Sequence, residues 1–191
     1  MQFFKSEGWR EGLVGMETLF SIAALVLVGI IAKFIVPYVL TFLSLPGRLM
    51  VSQDALGKCG QSRFILGALV TTLLQAYVYL AYTTFVVSGA VSAMRRHEVS
   101  FVVLFAAFFA VIIPLGAAHR DVKARLEAAK RLRTRDLNES VQNKANEHER
   151  KLDVTVRASS VTFVLAVIAF FVFAFIPRVM VMTYPWAIFI S

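Results

Sequence analysis

A single lysine, Lys33, stands inside an apolar run from Thr18 to Ser44. A straight helix over this run carries its ammonium toward mid-membrane, where insertion scales charge about 3 kcal/mol for a cation. A buried carboxylate would offset that charge, but no Asp or Glu occurs in any of the long apolar stretches of this chain. Three readings of Lys33 follow. In the first, the span starts nearer Leu13 and Lys33 snorkels at the membrane boundary, with Phe34 to Leu45 an interfacial or broken segment around Pro37. In the second, Lys33 lines a wet path or an oligomer axis, where a ring of cations would favour anions. In the third, it meets a lipid phosphate or a carboxylate of another subunit.

The second constellation is a polar face. At about 100° per residue, Thr71, Thr72, Gln75, Tyr79, Tyr82 and Thr83 share one third of a helix circumference, and Gly89 is expected on the same side. Lipid leaves such groups unsatisfied, so this face should look inward. It serves either interhelical hydrogen bonds, each worth about 0.6 kcal/mol, or a hydrated path past Gln75 and the tyrosine hydroxyls that faces Lys33. Small residues at a spacing of four, Ala106 with Ala110 and Thr162 with Ala166, allow helices to approach closely.

Other chemistry is sparse. Cys59 is the only cysteine, which excludes an internal disulfide and any multi-cysteine metal site, and its neighbours Lys58 and Gly60 suggest an ordinary loop. His97, His119 and His148 all fall in charged segments, so no histidine pair is available for haem or metal within the apolar runs. Phosphate-binding glycine loops, His-Glu-x-x-His and carboxylate pairs at membrane depth do not occur. No catalytic, cofactor or metal site is therefore expected. A lipid-modifying enzyme built on His119 is the weakest of the functions considered.

These residues need elements to hold them. The chain has 191 residues, of which 58% are apolar and 17% charged, a balance that suits lipid better than a water-soluble core. A transmembrane helix requires about 20 mostly apolar residues, and four stretches qualify: 18–44, 64–94, 99–118 and 160–182. The first is too long for a signal peptide and lacks a cleavage pattern after it. The remaining divisions are a short N-terminus at 1–17, a loop at 45–63, an outer turn at 95–98, a charged segment at 119–159 and an interfacial tail at 183–191. Pro114 is expected to kink the third span, and Arg178, Tyr184 and Trp186 to mark an interface.

Lys and Arg set the orientation. Fourteen lie in segments 45–63 and 119–159, against five on the opposite side. The positive-inside bias places the fourteen in the cytoplasm and both termini outside, with a bacterial inner (plasma) membrane as the expected location. The net charge of +8 is read as anchoring charge beside the spans, and no direct contact with nucleic acid is expected.

Segment 119–159 reads as a helical hairpin. Arg120 to Arg135 is rich in helix formers without Gly or Pro, and Asp136 with Glu139 has capping-box spacing. Leu137, Val141, Ala145, His148, Leu152 and Val156 make an apolar-leaning stripe for the second arm. Seven basic and two acidic residues occupy the first arm, four basic and five acidic the second. Arg125, Lys130, Arg131, Arg133 and Arg135 are the candidate partner-binding residues.

The expected fold is thus all-α: a polytopic bundle of four transmembrane helices, with an antiparallel cytoplasmic hairpin extending spans 3 and 4. The expected function is a homo-oligomeric channel, or channel-like component of a transport complex, with Lys33, Thr71, Gln75, Tyr79 and Tyr82 as pore or intramembrane polar contacts. The alternative is a structural or regulatory membrane subunit whose hairpin recruits a soluble cytoplasmic partner. Membrane lipids are partners in both.

Overall fold

A computed structural model describes residues 7–43, 58–96, 100–133 and 139–175. They form four helices, α1 (Glu7–Leu43), α2 (Lys58–Arg96), α3 (Ser100–Arg133) and α4 (Glu139–Phe175). Each contains a segment long and apolar enough to cross a membrane. At about 1.5 Å per residue each runs roughly 50–60 Å, well beyond the ~30 Å of a hydrocarbon layer.

Side-chain contacts give the register. Phe108 meets Phe170, Gly116 faces Phe163, His119 bonds Ser159, and Leu126 packs with Leu152. Each step along α3 is matched by an equal step back along α4, so the two helices form one antiparallel pair from the apolar region into the charged hairpin. Tyr82 reaches Ala110 on α3, while Arg150 stacks on Phe64 near the start of α2. With these contacts α2 runs antiparallel to α3 and parallel to α4.

Packing is uneven. α1 lies mainly on α3 and α2 mainly on α4, while α3 and α4 also pack closely together. α3 touches all three other helices and supplies much of the core through Val103, Ala107, Ala110, Val111, Leu115 and Ala118. α1 contributes Leu25, Gly29, Ala32, Val36 and Leu40, an inward stripe at helical spacing. Gly29 is required by a close approach: a Cβ there would lie 3.1 Å from the Ala110 Cα.

Several boundaries differ from the sequence reading. α1 continues unbroken through Pro37 to Leu43, so the broken segment proposed around that proline does not form. An isolated proline removes one N–H and need not end a helix whose neighbours support it in lipid. α2 begins at Lys58, which puts Lys58, Cys59 and Gly60 in a helix instead of a loop. α3 passes through Pro114, as a span running to Ala118 requires. Asp136, Leu137, Arg178, Tyr184 and Trp186 lie outside the described residues.

The hairpin has a small core of Leu126, Ala129 and Leu152, with Val156 packed against it. Only this end of the expected stripe packs, and Val141 is 46% exposed. The level of Val141 on the opposite arm lies outside the described residues.

Candidate functional site

The buried polar groups concentrate between α2 and α4. Thr71, Gln75, Tyr79 and Thr83 follow one another at steps of four along α2, and all are buried. Thr155, Ser159 and Thr162 answer them from α4, also buried, and continue into Ala166. Short side chains on α4 let α2 lie close enough to shield the larger Gln75 and Tyr79 from lipid.

Most hydroxyls in this seam are satisfied locally. Thr83 donates to the Tyr79 carbonyl at 2.7 Å, Thr155 to the Lys151 carbonyl at 2.9 Å and Thr162 to the Ala158 carbonyl at 2.9 Å. Threonine is tolerated inside a membrane helix because its hydroxyl can use the i−4 carbonyl in this way. Gln75 and Tyr79 are different. Among the described residues the Gln75 Oε1 and the Tyr79 hydroxyl are buried side-chain atoms without a hydrogen-bond partner, although Tyr79 lies near the Ser159 side chain.

Ser159 also joins α4 to α3. Its Oγ lies 2.7 Å from His119 Nδ1, with His119 half-buried. Because Ser159 is fully buried, His119 forms the link from the edge of the apolar region into the seam. The sequence reading placed His119 in a charged segment and missed this contact. Only the α3–α4 register brings the two residues together.

No match to the chain is found among known proteins, by family model, by curated sequence or by solved structure.

The remaining site candidates separate into three places. Thr71, Gln75 and Tyr79 meet in the seam, while Tyr82, half-buried, turns to α3 and donates to the Ala110 carbonyl at 2.8 Å. Pro114 has no N–H to offer that carbonyl, so the Tyr82 hydroxyl takes the role of the missing i+4 donor. Lys33 is elsewhere. It is exposed on the outer side of α1, with its ammonium 6.0 Å from the Phe34 ring centroid. A path in which Lys33 faces Gln75 within one chain therefore does not exist. Gly89, expected on the polar face, is exposed with nothing within 4 Å of a Cβ built there. Beyond Thr83 the buried stripe moves to Val86, Val87 and Ala90.

On the hairpin, Arg125, Lys130 and Arg131 are exposed on α3. Arg133 is the last residue of that helix, and Arg135 lies outside the described residues. Asp121 pairs with Arg125 at 2.9 Å, Glu147 pairs with Lys151, and Asp153 pairs with Arg157 at 2.9 Å, each within one helix turn. Same-helix pairs of this i,i+4 kind contribute about 0.3–0.5 kcal/mol each. They leave Lys123 and Lys130 on the surface without strengthening the contact between the arms.

Proposed function

We propose that this chain is a non-enzymatic structural or regulatory membrane subunit, whose α3–α4 hairpin stands in the cytoplasm as a stalk and docks a soluble partner with an acidic face. The observation that carries this reading is the continuity of both helices beyond His119 and Ser159. They extend the bundle by roughly 20–30 Å, yet bury only Leu126, Ala129, Leu152 and a few neighbours. A pair of helices that buries so little against itself contributes little to the stability of the spans, and it presents most of its surface to whatever lies alongside.

Charge supplies the specificity. Arg120–Arg133 carries six basic and two acidic residues, whereas Glu139–Arg157 is balanced at four of each. The α3 side of the stalk is thus a basic strip that would speed encounter with an acidic surface. Lys and Arg concentrated at this end favour the cytoplasmic side.

The test is a stoichiometric complex. Full-length protein in detergent, isolated from its native membrane, should retain a soluble partner that Arg125→Glu, Lys130→Glu and Arg131→Glu together release, while the spans stay folded. A complex indifferent to those three changes refutes the docking role. A homo-oligomeric channel is the second reading, favoured by one observation, the exposed Lys33 on the outer face of α1. Ion flux in liposomes whose charge preference reverses in Lys33→Glu would establish it in place of the first.

A further inference from the structure

His119, Ser159 and Tyr79 come from three different helices and meet at the hairpin end of the polar seam. The His119 Nδ1 lies 2.7 Å from the Ser159 Oγ. Ser159 is fully buried, and so is Tyr79, whose hydroxyl lies near the Ser159 side chain but has no hydrogen-bond partner. His119 is only half-buried and stands next to Arg120, where the charged part of α3 begins. It is the member of the three that water can reach.

The 2.7 Å contact can be made in two senses. With the imidazole neutral and its proton on Nε2, Nδ1 accepts and the Ser159 hydroxyl donates to it. With the imidazole protonated both ring nitrogens are donors, so Nδ1–H donates to the Ser159 Oγ and the hydroxyl proton has to turn elsewhere. Leaving it unpaired in a buried seam is costly. Two acceptors compete for it: the Thr155 carbonyl, one turn back on its own helix, and the Tyr79 oxygen across the seam. Inside α4 the Thr155 carbonyl already takes the backbone N–H of Ser159, whereas the Tyr79 oxygen is empty. The tyrosine is therefore the better acceptor.

Neighbouring charges leave the histidine free to change state. On α3, Arg120 turns back to the Gly116 carbonyl, Asp121 is paired with Arg125, and Lys123 is exposed. On α4 the one ionisable side chain within a turn of Ser159 is Arg157, paired with Asp153. From α2 come Tyr79 and Tyr82, of which Tyr82 is committed to Ala110. On α1, which meets α3 at Gly29 and Ala110, Lys33 and Tyr38 are both exposed. Both nearby carboxylates, Asp121 and Asp153, thus already have cationic partners.

We propose that His119 and Ser159 form a proton-operated switch: when the imidazole takes up a proton, the Ser159 hydroxyl turns from α3 to the Tyr79 oxygen and adds a hydrogen bond between α4 and α2. Histidine is the side chain whose charge changes across physiological pH, so acidification on the hairpin side is read out as a closer tie between these two helices. The switch needs only the three packed helices and is independent of the partner docking argued above.

Nuclear magnetic resonance of the full chain in detergent micelles tests it, with carbon-13 at tyrosine Cζ and nitrogen-15 in the histidine rings, titrated from about pH 8 to about pH 5. The signals lost in Tyr79→Phe and His119→Gln assign the two residues. In wild type the Tyr79 carbon should shift with the same midpoint as the His119 ring nitrogens. Ser159→Ala, which removes the hydroxyl and little else, should leave His119 titrating and hold the Tyr79 signal fixed. His119→Gln should hold it fixed as well. A Tyr79 signal that stays still in wild type overturns the proposal, because the hydroxyl has then turned to its own helix. So does a shift that persists in Ser159→Ala or His119→Gln, or a His119 ring that keeps one protonation state across the range.

Discussion

The Tyr82 hydroxyl donates to the Ala110 carbonyl at 2.8 Å, replacing the N–H that Pro114 cannot supply. Ala110 is also where Gly29 admits α1. Three helices therefore meet at one backbone position: α1 by close approach, α2 by a hydrogen bond, and α3 by providing both the free carbonyl and the small side chain. Lipid offers no donor to a carbonyl left open by proline, so the neighbouring helix has to provide it.

Removing this donor should expose the debt. Tyr82→Phe is expected to destabilise the protein by about 1–2 kcal/mol, because a part-buried acceptor loses its partner. In a Pro114→Ala background, where residue 114 regains an N–H, the same change should have under half that effect. Thermal unfolding of the four proteins in one detergent measures the cycle. Equal losses in both backgrounds would show that the hydroxyl does not answer the proline.

The glycines make a matched pair. Gly29→Ala gains about 1 kcal/mol of helix propensity but sets a Cβ 3.1 Å from backbone, and the two effects should nearly cancel. Gly29→Leu cannot be accommodated without parting α1 from α3 and should be destabilising by several kcal/mol. Gly89→Ala, into open space, should stabilise by about 0.5–1 kcal/mol. A destabilising Gly89→Ala would mean that another surface covers that side of α2.

How much of this was legible beforehand depends on whether one helix or two are involved. The four spans follow from hydropathy, since each helix must satisfy its own backbone in lipid. The inward turn of Thr71, Gln75 and Tyr79 follows from period alone. The bond from His119 to Ser159 and the one from Tyr82 to Ala110 each require the register between two helices, which a single sequence does not encode locally. Of the stripe from Leu137 to Val156, Leu152 and Val156 pack against α3 and Val141 is exposed; its period is helical, but which members meet a partner depends again on the register.

Gln75 is expected to behave against intuition. Its Oε1 is buried without a donor, and an unsatisfied acceptor costs about 1–3 kcal/mol. Gln75→Met keeps the volume and removes the acceptor, so stability should be unchanged or higher by up to about 2 kcal/mol. Unfolding by denaturant in micelles decides it, and a loss above about 1 kcal/mol would mean that the amide is satisfied in the membrane-embedded protein.

The stalk should be the first part of the molecule to open. Leu152 joins Leu126 and Ala129 in the only hydrophobic cluster seen among the described residues of the hairpin, so Leu152→Asp removes most of what holds the arms together. The spans have their own core of Val103, Ala107, Leu115, Ala166 and Phe170 and do not depend on it. Amide hydrogen exchange should therefore rise in the variant over Arg120–Arg133 and Glu139–Arg157, by tenfold or more if about 1.4 kcal/mol is lost, with the apolar segments unaffected. In wild type a gradient is already expected: amides around the exposed Val141 should exchange faster than those around the buried Leu152 and Thr155. Uniform protection along α4 would show that its far end is covered by another surface, and that the exposure of Val141 does not persist in the membrane-embedded protein.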